Sequence, residues 1–423
     1  MTICQIVPVS ALSSSLARVV SELYGLMRNP VVLSRRRFTL SALSLAATGL
    51  SGCAGNGGGS LSEAPPPAPA GPQQPGSEIG SGHYKVALIL PLSSGGNAGM
   101  AAQSMKNAAE MALAEFSNPD IQFLIKDDAG NPQLARMVAG QAMDEGAQII
   151  LGPLFAQSVQ AVGSAARPRN IPVIGFSTDA SVAARGVYLL SFLPETDVVR
   201  VLGYAFAQGK RSFAAIVPEN AYGSVVEAAF REEIARRGGR VVALERYDAA
   251  RLQASIGVIA QAARGADAVF IPDGGDVAPT IAQGLVSAGV NTRQVQLLGT
   301  GLWDDPRIFN DASMLGGLYA APDPSGFANF AQRYQTRYGS EPVRTATLAY
   351  DSTALVAALV RSQGAQRITD QMLTNPSGFS GIDGVFRFKA DGTNERGLAV
   401  MRVAAGGGQI VSPAPKTFGG SGT

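Results

Sequence analysis

Histidine is nearly missing from this 423-residue chain: His83 stands alone, beside two cysteines and one tryptophan. With one histidine, zinc sites and Ser-His or Cys-His nucleophile pairs lose their usual members, which argues against most hydrolases and metalloenzymes and leaves only carboxylate chemistry open. Cys4 and Cys53 both lie near the N-terminus. No thiol remains for the rest of the chain, so no disulfide holds it together. Charge is also scarce, at 16% of residues with a net of +2. The basic residues are scattered and not interleaved with aromatics, so no nucleic-acid partner is expected. No catalytic constellation, metal or cofactor is expected either, and the chain reads as a non-enzyme.

What is present begins with a leader, residues 1–53. Ser34-Arg35-Arg36-Arg37-Phe38-Thr39-Leu40 precedes an apolar, small-residue stretch that meets Leu50-Ser51-Gly52-Cys53. Basic, apolar, then small-residue cleavage site is the order of a secretory signal. Arg35 and Arg36 sit in a segment that resembles the twin-arginine export signal. The stretch ending at Cys53 resembles the bacterial lipobox, whose cysteine receives a diacylglyceryl group; a leader cleaved without lipid is the alternative. Met27 begins a leader of normal length and is the expected start. Residues 54–83, rich in Gly, Pro, Ser and Ala, cannot bury enough apolar surface to order and read as a disordered tether. Residues 413–423 read as a disordered tail. The expected location is the periplasm, with a lipid anchor as the only membrane contact.

The folded part is organised around Lys85-Val-Ala-Leu-Ile-Leu-Pro-Leu92, an unbroken apolar run ending in Ser93-Ser94-Gly95-Gly96. A strand covered on both faces needs apolar residues throughout, whereas a half-exposed one alternates. Similar runs end at Gly152-Pro153, Gly175, Pro218 and Pro272. Helix-length segments separate them, among them an amphipathic stretch from Ala101 to Phe116. The pattern predicts an α/β protein with doubly wound parallel sheets. Its repetition from Lys210 onward implies two Rossmann-like lobes with a cleft between them.

Ligands bind beyond the carboxyl ends of such strands, so the turns are the candidate site. A helix starting near Ala156 would aim free N–H groups at the cleft and suit a carboxylate. Gly175-Phe176-Ser177-Thr178-Asp179 follows the same logic, with plain helix capping as the competing role. Asp127-Asp128, before Asn131-Pro132, reads as a solvated turn and helix cap rather than an acid/base pair. Tyr222 or Trp303 would close over a ligand or pack at the hinge.

Four motifs carry a resemblance. Phe327 to Tyr334 with Tyr338-Gly339, Pro342 and Ala349-Tyr350-Asp351 is similar to an "F…Y…YG…P…YDA" pattern. Phe379-Ser-Gly-Ile-Asp-Gly-Val-Phe-Arg-Phe388 with Asp391-Gly392 is similar to "F-x-G-x-x-G-x-x-x-F…G", and Gly152-Pro153 and Ala221-Tyr222-Gly223 match lobe turns. In this order, the stretch from about Tyr84 to Val411 resembles the type I periplasmic binding proteins, in their leucine/isoleucine/valine-binding branch. The resemblance implies a Venus-flytrap of two lobes joined by a three-segment hinge within residues 84–412: lobe 1 at about 84–204 and 321–365, lobe 2 at about 205–320 and 366–412.

It further implies a small amino-acid-like ligand delivered to an ABC permease. Ser93, Ser94, Leu154, Phe155, Ser177 and Thr178 are the first-lobe candidates, and Tyr222, Asp273 and Asp304 the second-lobe ones. The chain departs from the family where hydroxyls normally follow Gly-Pro, placing Leu154-Phe155-Ala156-Gln157 there. Leu190 to Glu195 and Gln208 to Lys210 also look similar to penicillin-binding-protein activators. These lipoproteins use the same fold to dock on a peptidoglycan synthase and regulate cell-wall synthesis.

Overall fold

A computed structural model describes residues 78–117, 119–364 and 366–418. The expectations for Arg35, Arg36, Cys53, the leader and most of the tether lie outside the described residues. The described part belongs to one unit, Ala70–Thr423.

The first lobe is built on β1 (Glu78–Ile79), β2 (Tyr84–Leu90), β3 (Ile121–Asp127), β4 (Ile149–Leu151), β5 (Val173–Gly175) and β6 (Val187–Leu189), in spatial order β1-β3-β2-β4-β5-β6. All neighbours are parallel except the edge strand β1, which runs antiparallel to β3. The unbroken apolar run has its expected cause. Val86, Leu88 and Leu90 pack into one layer with Met105 and Ala109 of α1 (Gly96–Ala114). Ala87 and Ile89 point the other way, among Ala135 and Val138 of α2 (Pro132–Asp144) and Val159 of α3 (Ala156–Ala166). Each fully buried Leu or Ile contributes about 1.5–3 kcal/mol.

The second lobe repeats the plan. After α4 (Pro194–Ala207), strands β7 (Ser212–Pro218), β8 (Arg240–Tyr247), β9 (Ala268–Phe270), β10 (Gln296–Gly299) and β11 (Leu318–Ala321) form a parallel set in the order β8-β7-β9-β10-β11. Between them run α5 (Ala221–Arg236), α6 (Leu252–Ala263), α7 (Ala278–Ser287) and the short α8 (Pro306–Phe309). The chain then returns to the first lobe with α9 (Pro324–Tyr338), α10 (Ala346–Gln363) and α11 (Asp370–Leu373), followed by an antiparallel sheet of β12 (Phe379–Gly381), β13 (Gly384–Phe388) and β14 (Asn394–Arg396). Finally β15 (Ala399–Ala404) extends the second sheet antiparallel to β11, and β16 (Gly407–Ser412) pairs antiparallel to β15. In both parallel sets the first strand lies between the second and third. The winding therefore reverses between β2 and β4 and between β7 and β9, and the crevices at such reversals are where ligands bind.

Packing moves both expected lobe boundaries. Val198, Val201, Leu202 and Phe206 of α4 join the second-lobe core with Phe213 and Phe230, so that lobe starts at about 194 rather than 205. Phe386 and Phe388 lie in the first-lobe core with Leu355, and Phe388 meets the Tyr188 ring at 5.3 Å. Residues 379–396 thus pack with lobe 1, whereas 366–412 was expected in lobe 2. Such short strands have no period of their own, and long-range aromatic contacts decide where they go.

Two segments expected to be disordered make specific contacts. Glu78–Ile79 pairs with β3, Gly82 donates to the Ile121 carbonyl, and His83 bonds Asp120 at 2.9 Å. From the end of β16 onward, Arg200 donates to the Ser412 hydroxyl at 2.8 Å and the Pro413 carbonyl at 3.2 Å, and Arg387 lies 4.6 Å from the Phe418 ring.

Candidate ligand-binding cleft

Where the chain crosses between lobes, a cavity of about 510 Å³ opens beside the hinge. Its second-lobe wall is made by the turn after β10. A side chain at Gly299 would overlap the indole of Trp303, so only glycine lets that ring tuck under the turn. Trp303 is fully buried in the second-lobe core, which assigns it to packing rather than to closing over a ligand. The turn it anchors presents Gly301, Leu302 and Asp304 to the cavity.

Asp304 accepts from the Tyr319 hydroxyl at 3.2 Å. Tyr222 lines the same wall from the first turn of α5, whose N-terminus is capped by Asn220 accepting from the Gly223 amide. The Tyr222 hydroxyl bonds Thr300 Oγ1 at 2.8 Å, and its burial pushes its pKa up. Asp197, in the first turn of α4, accepts from the Gly301 amide at 2.9 Å. Desolvation in the cleft pushes its carboxyl up to about 7, with Glu195 adding to the rise and the Gly301 amide opposing it.

The first-lobe side of the cavity is formed by Thr178, Phe192 and Arg344. The Arg344 guanidinium lies 4.8 Å from the Phe192 ring and 4.5 Å from the Phe327 ring. It donates to both oxygens of Asp383, at 2.9 and 2.5 Å, and Asp383 is fully buried. Pro194, Ala321 and Pro322, at two of the crossings, supply apolar surface.

Of the residues singled out in the sequence, Thr178, Tyr222 and Asp304 come together on this cavity. Ser93, Ser94, Leu154 and Phe155 gather elsewhere on the first lobe. The Ser93 amide donates to Asp127 at 3.2 Å, and Leu154 packs on the first-lobe core. A side chain at Gly130 would meet both the Ser94 hydroxyl, at 3.3 Å, and the Phe155 ring, at 3.1 Å. Phe155 is 40% exposed and precedes α3 without a side-chain cap.

Ser177 is buried, its hydroxyl accepting from the Asp179 amide at 3.1 Å. Asp273 accepts from the Tyr247 hydroxyl and does not line the cavity. Asn131 caps α2 by accepting from the Gln133 and Leu134 amides. Asp128 is fully buried rather than solvated, one of its oxygens has no partner, and burial raises its pKa.

Asp197, Phe192 and Arg344 escaped the sequence reading. An acid in the first turn after a proline looks like an ordinary partner for a helix N-terminus, and nothing local distinguishes Arg344. Among the described residues no group of three or more His, Cys, Asp or Glu side chains could hold a metal, and no helix is long and apolar enough to cross a membrane.

Comparison with known proteins agrees with this architecture. A family model described as periplasmic binding protein matches residues 83–408. A putative branched-chain amino acid ABC transporter from Rhodospirillum rubrum superposes with a TM-score of 0.69 at 19% identity, covering 78% of this chain and 99% of that one. An ABC transporter substrate-binding protein from Desulfitobacterium hafniense, in complex with Leu, gives 0.58 at 17%, covering 78% and 99%. These likenesses show the fold.

Among curated sequences, the penicillin-binding protein activator LpoA of Klebsiella pneumoniae is 28% identical over 145 residues, 34% of this chain and 20% of that protein. The Vibrio cholerae LpoA is 24% identical over 231 residues, 53% of this chain and 34% of that protein. The match thus spans between a fifth and a third of these relatives' length. With the family model running through more than half of its length and two doubly wound lobes meeting at a hinge-side cavity, the chain belongs to the periplasmic binding protein family, in its type I, leucine-binding-like form.

Proposed function

We propose that the chain binds an amino-acid-like solute between its lobes and delivers it to an ABC permease, without catalysing a reaction. In this reading it is periplasmic and tethered to the membrane through lipid on Cys53. The observation that carries the proposal is the cavity itself, with apolar surface from Phe192, Leu302 and Pro322, a cation at Arg344 and acids at Asp197 and Asp304. An apolar pocket with a few convergent polar groups is the usual form of a small-molecule site.

Isothermal titration of the chain against amino acids, short peptides and cell-wall fragments tests it. One chemical class is expected to bind, and Tyr222→Ala and Asp304→Ala are expected to weaken that binding by about tenfold while the chain stays folded. No heat with any class would contradict the proposal.

A second reading, an activator docking on a peptidoglycan synthase, is favoured by the similarity to LpoA and by the exposed Phe155 where the family pattern carries hydroxyls. Under that reading Phe155→Asp weakens capture of the synthase and leaves solute titrations silent. For the tether, Cys53→Ala is expected to move the protein from the membrane to the soluble fraction, and retention on membranes would contradict lipidation there.

A further inference from the structure

We infer that Arg344 is the anion-recognition residue of the cleft, and that the ligand it selects is a carboxylate with an apolar body. This rests on the cleft-binding reading above.

Besides Arg344, the first-lobe side of the cavity carries one side-chain donor among the described residues, the Thr178 hydroxyl. The Ser177 hydroxyl is turned inward onto the Asp179 amide, and Leu154 and Phe155 contribute no hydroxyl. Arg344 is partly exposed, with 38% of its side chain accessible, and it lines the cavity. Its contacts with Phe192, Phe327 and Asp383 fix the plane of the guanidinium before a ligand arrives. The fork has more N–H groups than Asp383 and Thr347 use.

The surroundings hold positive charge that is incompletely met. A second guanidinium, Arg396, lies 4.8 Å from the same Phe192 ring. It is 5% exposed and donates through Nε to the Ser191 carbonyl at 3.0 Å, while Nη1 and Nη2 have no hydrogen-bond partner. Two buried carboxylates face this pair. Asp383 is committed to Arg344 and to the Thr347 hydroxyl, at 2.6 Å. Asp351 accepts from the Ile382 amide with one oxygen and has no partner on the other. Burial pushes Asp351 up to about 7, so it carries less than a full negative charge at neutral pH. Two guanidinium groups therefore face less than two carboxylate charges. The surplus reaches the cavity at Arg344, the member of the cluster that lines it. Across the cavity, Asp197 and Asp304 offer acceptor oxygens to any donor the ligand carries.

The test is isothermal titration of the full chain with leucine, phenylalanine and benzoate, each paired with its amide: leucinamide, phenylalaninamide and benzamide. At least one acid is expected to bind at least about tenfold more tightly than its amide, the scale of a charge-assisted pair. Arg344→Gln should remove that preference, lowering acid affinity about tenfold and leaving the amide within about twofold. Because Arg344→Gln strands Asp383 in the interior, the double variant Arg344→Gln with Asp383→Asn, which removes both charges, serves if the single one unfolds. Equal binding of acid and amide, or acid binding undiminished in either folded variant, overturns the role of Arg344 and leaves the cleft reading standing. Silence of the unmutated chain toward every probe overturns both.

Discussion

The two lobes share one winding order, yet their faces treat polar side chains differently. On the second lobe, the Tyr222 hydroxyl and the Asp197 and Asp304 carboxylates make local hydrogen bonds and still line the cavity. On the first lobe, Ser177 and Asp127 turn their oxygens onto neighbouring backbone amides. The family's hydroxyl-bearing turn is replaced by one that exposes a phenylalanine. Polarity in a sequence is therefore no measure of availability to a ligand. A serine two residues before an unpaired amide is used by that amide first.

The largest expected effect would break the first-lobe turn outright. Gly152 has φ of +87°, and a side chain there would overlap the Ile89 carbonyl oxygen of β2. Backbone cannot move aside cheaply, so Gly152→Val should cost about 3 kcal/mol or more in urea unfolding. Gly299→Ala in the second lobe would overlap the middle of the fully buried Trp303 indole and should also cost about 3 kcal/mol, but a cost that Trp303→Leu relieves. A Gly299→Ala cost undiminished in a Trp303→Leu background would erase the contrast between a turn fixed by backbone and one fixed by a side chain.

Next in size is the pH response. Asp197 and Asp351 both rise from 3.8 to about 7 on folding, so the native state holds their protons more tightly than the unfolded chain. Their contribution to stability is full below 3.8 and is lost as pH climbs toward 7 and through it. The thermal midpoint of Asp197→Asn and of Asp351→Asn should accordingly fall less steeply over that window than that of the unmutated chain. An unchanged slope in both would contradict the assigned burial.

Smaller still, Ser177→Ala should lower stability by about 1 kcal/mol and leave ligand affinity alone, whereas Thr178→Ala should do the reverse. If both variants change affinity equally, the inward and outward assignment of these neighbours is wrong. Removing the ring that the tail lays beside Arg387, by Phe418→Ala, should cost only about 0.5–1 kcal/mol, read by the same unfolding.

Much of the architecture was legible because it is written in short-range pattern. The all-apolar run at β2, the Asn131-Pro132 helix start and the Gly-bounded strand ends each follow from local chemistry. Two full α/β sets in succession left little choice but two lobes. What was hidden depends on contacts between residues far apart in sequence. Phe386 and Phe388 look like any strand until they meet Tyr188, and α4 reads as the end of one lobe until Phe206 packs on Phe213. At the site, Tyr222 and Asp304 were marked by turn motifs. Asp197 is brought to the cavity by the crossing that opens α4, and Arg344 by its pairing with Asp383 from a distant turn, neither of which a local motif encodes.

The central claim is that a ligand sits at the hinge-side cavity and not on the outer first-lobe turns. Hydrogen–deuterium exchange of the chain, with and without a carboxylate identified by titration, tests it most directly. The expected result is added protection of the backbone at 192–197, 222–224 and 300–304, with no change at 153–158. Protection confined to 93–96 and 153–158, with the hinge-side segments unaffected, would contradict it.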